Sequence, residues 1–166
     1  RALGLLDRSI ASAPQAADVG LLDITTCSGL VGCDALKRET DLRHLEPRNG
    51  NLWMVALHDA SMRNDQSRID AVLARMAQSD HFDMRFISLG RRFLVALKQV
   101  PPPPGATTAS ADSLRQEEAM SLVAAFTVPP MQYLVDACKP DNPRGADRRR
   151  TCRTIAGSLR RSDSLI

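Results

Sequence analysis

The stretch Asn51–Asp80, NLWMVALHDASMRNDQSRIDAVLARMAQSD, decides the fold. It reads as two amphipathic helices joined by the polar turn Arg63-Asn64-Asp65. The first helix carries Leu52, Trp53, Val55, Ala56, Leu57 and Ala60. The second carries Ile69, Val72, Leu73, Met76 and Ala77 at spacings of three and four, which put them on one helix face. Such a face has to be covered, so the pair predicts a helical hairpin that packs on further hairpins.

On the N-terminal side, Arg1–Ala13 is predicted to be a helix through Leu3, Leu5, Leu6 and Ile10, stopped by Pro14. Ala16–Cys27 reads as a second helix, and Gly29 and Gly32 bracket a turn. Asp34 is placed to cap a helix over Ala35–Leu45, which Pro47 and Gly50 end. On the C-terminal side, His81–Leu97 is expected to be helical with a break near Gly90. Pro101–Ala109 reads as an extended, stiff connector before it reads as a polyproline docking ligand. Ser113-Leu-Arg-Gln116 has the form of a capping box for a helix to about Phe126. Thr127 can cap the next helix, whose first turn tolerates Pro129 and Pro130 and which continues through Met131, Leu134, Val135 and Cys138. Lys139–Gly145 reads as a turn, and Ala146–Arg161 as a last helix with Cys152, Ile155, Ala156 and Leu159. The organisation expected is helical repeats over 1–100, a Pro-rich linker loop over 101–110, and C-terminal helices over 111–166 that cap the same domain.

Ala2–Pro14, Ala35–Pro47 and Arg68–Asp80 recur at an offset of 33 residues, each a helix followed by a stop. With Trp53 early in its helix and Ala56, Leu57 and Ala60 after it, the pattern resembles the tetratricopeptide repeat family over about residues 1–95. It departs from that family at Ala60, where an aromatic is usual, and at Asn64-Asp65, where glycine is usual. The resemblance implies an all-α fold of antiparallel helical hairpins stacked as a short, TPR-like α-solenoid. It implies a groove lined by the first helix of each pair, with Asn51, His58, Arg63, Arg85 and Arg92 as partner-binding candidates. The late cysteines, the Ser-Asp-Ser-Leu-Ile tail and Leu45-Glu46-Pro47-Arg48-Asn49 are similar to exported helical-repeat proteins of proteobacteria, which implies an exported location.

Composition points the same way. Of 166 residues 43% are apolar but only 4% aromatic, which suits packed helices better than a β-sandwich. A net charge of +3 gives no reason to expect nucleic acid. No apolar run approaches the roughly 18–20 residues of a membrane helix, and no signal peptide is visible. The chain begins at Arg1 rather than Met, as a processed chain or a domain cut from a larger one would.

Cys27, Cys33, Cys138 and Cys152 fit no zinc spacing, and His44, His58 and His81 lie apart from them, so no metal or cofactor is expected. Each cysteine pair can close a helix–turn–helix corner as a disulfide, which implies a periplasmic or secreted protein. The alternative is four buried thiols in a cytoplasmic one.

No catalytic constellation emerges. Glu117 and Glu118 are adjacent and diverge by about 100° on a helix. Gly29-Leu-Val-Gly32 lacks the Lys and Ser/Thr of a phosphate loop, and no nucleophile elbow exists. Arg144, Arg148, Arg149, Arg150, Arg153, Arg160 and Arg161 form the densest basic run, with Arg149 and Arg153 as further partner-binding candidates. Without interleaved aromatics the run offers no stacking platform, and its plain reading is a solvated outer face.

The function expected is a non-catalytic protein-binding module of the bacterial envelope. Its narrower form is an inhibitor or immunity protein of a secreted toxin. The alternatives are a helical hydrolase or lytic enzyme using Glu39, Glu117 or Glu118, and a regulatory or sensor domain of a larger chain.

Overall fold

The computed structural model describes residues 17–28, 30–102, 104–105, 107–127, 131–141 and 145–162. The helix expected over 1–13, the first copy of the 33-residue period, Pro129, Pro130 and the last four residues lie outside them. Among the described residues the chain is all-α. Eight helices run α1 Ala17–Ser28, α2 Ala35–Leu45, α3 Met54–Met62, α4 Gln66–Ala77, α5 Phe86–Leu97, α6 Thr108–Thr127, α7 Met131–Ala137 and α8 Gly145–Leu159. Adjacent helices pack in antiparallel pairs. The chain divides into two compact units, Arg1–Met84 with Pro130–Ile166, and Arg85–Pro129.

The deciding stretch folds as its periodicity predicts. A 3₁₀ turn, Gly50–Trp53, leads into α3, and Asn64 takes the left-handed conformation that reverses the chain. Asp65 then caps α4, its carboxylate accepting the Arg68 amide at 3.0 Å. Ile69, Val72, Leu73 and Met76 are all buried. Each contributes roughly 1.5–3 kcal/mol on leaving water. They join Met54, Ala56, Leu57 and Ala60 of α3, Phe82, and Leu134, Ala137 and Ile155 of α7 and α8 in one core. A second cluster of Ala17, Ile24, Leu42 and Leu52 sits between α1 and α2. Asp34 caps α2 as expected, accepting the Lys37 amide at 2.9 Å.

Three boundaries differ from the sequence reading. His81–Arg85 is not helical. Gly50 N–H donates to the His81 carbonyl at 2.8 Å, and Arg85 adopts a left-handed φ of 58° before α5 begins. The backbone of that segment is thus paired elsewhere and unavailable to a helix. Gly90 does not break α5; its bare Cα lies opposite Val123 of α6, where an added Cβ would stand 3.7 Å from the methyl. α6 starts well before Ser113, because Thr107 Oγ1 accepts the Ser110 amide and caps the helix there. In this second unit Leu89 of α5 and Ala111, Ala119 and Val123 of α6 are buried.

The segment after α4 is held to the turn before α3 by Asn49, which is almost fully buried. Its Oδ1 accepts the Asn51 and Asp83 amides, and its Nδ2 donates to Glu46 Oε2 and the Asp83 carbonyl, all within 3.1 Å. Every polar valence of the side chain is used.

Candidate functional site

Both disulfides expected from the cysteine spacing are present, Cys27–Cys33 and Cys138–Cys152. The first closes the corner between α1 and α2. The Leu30 amide donates to the Cys27 carbonyl at 3.0 Å and the Cys33 amide to the Leu30 carbonyl at 3.3 Å. Gly32 supplies the positive φ the turn requires. The covalent bridge closes this corner and limits how far its ends can separate. Its tip is apolar and open: Val31 is fully exposed and Leu30 about half so.

Beside this loop lies a cleft of about 460 Å³, lined on one side by Cys33, Asp34 and Leu36 and on the other by Val55, His58 and Met62. Met62 is 68% exposed. His58 is held against Tyr133 of α7, ring centroids 4.5 Å apart. Asp59 pairs with Arg63 at 3.0 Å and with Arg68 at 3.4 Å. A second cleft shares Cys33 and Asp34 with the first and is lined further by Val31, Lys37, Arg38 and Asp41.

Glu39, the one carboxylate that sequence reading offered to an enzyme and that is buried, lines neither cleft. Oε1 accepts the Val55 amide at 2.7 Å, and Oε2 accepts the Ala56 amide at 3.1 Å and Arg43 Nη1 at 2.7 Å. Val55 and Ala56 are first-turn residues of α3, whose amides have no partner within their own helix. Glu39 therefore caps α3 from α2, where Trp53 at the cap position supplies no side-chain bond. Arg43 spans the junction: it also donates to the Leu52 carbonyl at 2.9 Å and stacks on the Trp53 ring 4.1 Å from its centroid. Burial pushes the Glu39 carboxyl up to about 7, against the downward pull of the Val55 amide, the Arg43 charge and the Ala56 amide. Asp23, also buried, pairs with Arg38 and ties α1 to α2.

The remaining candidates are dispersed. Asn51 lies in the 3₁₀ turn, its amide bound by Asn49. His58 lines the first cleft, and Arg63 does not, being paired with Asp59 at the end of α3; His44 and His81 are exposed. Arg85 and Arg92 belong to the second unit, where Arg92 is exposed on α5. Glu117 and Glu118 are exposed on α6. Trp53 is only partly buried against the core. Arg149 and Arg153 are exposed on α8, but the run they belong to is not uniformly solvated. Arg148 is buried, with Nε 2.5 Å from Asp70 Oδ1 and Nη1 3.2 Å from Gln66 Oε1. It fastens α8 to α4.

Sequence reading missed the Glu39 cap, Asn49 and the inward turn of Arg148. The Glu39–Arg43 spacing of four signals a helix pair, but nothing local announces that its acceptor faces another helix.

Among the described residues no helix is long and apolar enough to cross a membrane, and no group of three or more His, Cys, Asp or Glu is placed to hold a metal ion. Comparison with protein-family models, curated proteins and solved structures gives no match.

Proposed function

We propose that the chain is a non-catalytic protein-binding module of an oxidising compartment, such as the bacterial envelope. The observation that carries this reading is the disulfide-pinned loop at Cys27–Cys33. It holds a fully exposed Val31 beside a cleft rimmed by Met62 and His58. An apolar side chain held out in water on a disulfide-closed loop is costly to solubility and useful to recognition. Two disulfides support export, since they persist where thiols are oxidised. The narrower form is an inhibitor or immunity protein of a secreted toxin, and a TPR-like stacking of the hairpins is the architecture that would suit it. The enzyme reading is the runner-up and loses support from Glu39, whose oxygens are occupied by α3 and Arg43.

The test is site-directed photo-crosslinking in the producing cell. A photoreactive residue at Val31 and, separately, at Met62 is expected to yield an adduct of the same mass, lost when His58→Glu is added in the first cleft. The same residue at Lys98 is expected to yield none. Absence of a shared adduct, or equal labelling from Lys98, rejects the loop-and-cleft surface.

A further inference from the structure

The outer face of α8 carries a second determinant. At about 100° per residue, Arg149, Arg153 and Arg160 fall within about 40° of one another, over about 16 Å of helix. The Arg160 amide still bonds to the Ala156 carbonyl at 3.1 Å, so the helical path reaches that residue. All three side chains are exposed. Their neighbours in sequence are accounted for: Arg148 is taken inward by Asp70, Arg150 has Asp147 at 3.7 Å, and Arg161 donates to Ser158 Oγ at 3.3 Å. Among the described residues no carboxylate lies within ion-pair distance of Arg149, Arg153 or Arg160, although the surface of the same unit satisfies most of its other guanidiniums in pairs.

We infer that this arginine stripe is a docking face for an acidic, glutamate-rich helix of a partner protein. Guanidinium forks match carboxylates bidentately, and glutamates spaced as the arginines are would meet all three. The other exposed residues between Arg149 and Arg160 are Arg150, Thr154 and Ala156, so there is no aromatic to stack a base and no large apolar group to wedge into a bilayer. Arg150 and Arg161 are exposed as well but lie about 60–120° round the helix from the stripe, so the line of Arg149, Arg153 and Arg160 is the part that a single acidic helix can meet along its length. The inference rests on the protein-binding reading and supplies the chemistry of a partner surface.

The probe is a fluorescein-labelled, alanine-rich helical peptide with glutamates at i, i+4 and i+11, titrated with the full chain at low and at near-physiological salt. Saturable binding is expected, weakened by salt. The triple variant Arg149→Glu, Arg153→Glu, Arg160→Glu is expected to lose about tenfold or more in affinity. The charge-matched control Arg75→Glu, Arg91→Glu, Lys98→Glu, all at exposed positions, is expected to stay within about twofold. Circular dichroism melts verify that both variants fold. No saturable binding, equal loss in both variants, or tighter binding to vesicles containing phosphatidylserine or to a DNA duplex overturns the inference. None of these outcomes touches the Val31 and Met62 adducts, so failure of the stripe and failure of the loop-and-cleft surface are told apart.

Discussion

Replacing Glu39 by Gln tests whether one buried carboxylate holds α3 to α2. Glutamine keeps the shape but turns one acceptor oxygen into a donor. If its oxygen takes the place of Oε2, the new NH₂ faces the Val55 amide; if it takes the place of Oε1, the NH₂ faces both the Ala56 amide and Arg43. Either way a buried donor is orphaned, at about 1–3 kcal/mol. Arg43 keeps the Leu52 carbonyl, Thr40 Oγ1 and the Trp53 ring, so its charge is not abandoned. Glutamine is also spared the burial of a charge that raises the carboxyl, which offsets part of this, so we expect a loss of about 1 kcal/mol at pH 8, or about 2–4 °C in Tm for a chain of this size. The pH dependence carries the sign. With the folded carboxyl raised to about 7 from an ordinary 4.5, the folded chain holds a proton between those values that the unfolded chain has released. Wild-type stability therefore rises as pH falls from about 7 to 4.5, by up to about 3 kcal/mol, and Glu39→Gln lacks that rise. The gap between the two proteins widens on acidification. Urea unfolding followed by circular dichroism at several pH values reads both effects. A variant within about 0.5 kcal/mol of wild type at pH 8, or one with the wild-type slope against pH, would refute the cap.

Gly50→Ala would put a Cβ 2.4 Å from the buried Phe82 ring, and a cost of about 2–3 kcal/mol in denaturant midpoint is expected from overpacking; an unchanged midpoint would show that the ring yields freely. Cys138→Ser is expected to remove about 3 kcal/mol under oxidising conditions and to match reduced wild type in the presence of dithiothreitol; equal loss with and without reductant would argue for a thiol-packing role instead. Trp53→Ala, at a half-buried site, is expected to cost about 2 kcal/mol and to release Arg43 from its stacked position, read by thermal melting; an unchanged Tm would sink the contact.

Most of the helices were legible because their signals are local. The three- and four-residue spacing in Gln66–Ala77, the Asp34 and Asp65 caps, and the stop after Leu45 act within a turn or two of where they are written. The two disulfides were legible for the same reason, since each closes a corner between sequence neighbours. What escaped depends on distant partners. His81–Arg85 has enough apolar residues nearby to pass for helix, yet Asn49, more than thirty residues earlier, takes its backbone. Arg148 looks like one more member of a solvated run until Asp70 and Gln66 are brought to it. The candidate cleft is only partly legible: His58 stands out as a polar position of its helix, whereas Leu30 and Val31 lie in what reads as an ordinary glycine-flanked turn.

The first unit is assembled from two stretches of chain with the whole of the second unit written between them. Each disulfide, however, lies inside a single stretch. Four cysteines admit three pairings, and the order of delivery selects among them. In a chain threaded N-terminus first through a translocation pore, Cys27 and Cys33 emerge together while Cys138 and Cys152 are still on the far side. If the chain is exported in that order, sequential oxidation favours the two native bridges over the other pairings, and Ile155, which follows the last cysteine, is still to be delivered before the apolar core of the first unit is complete.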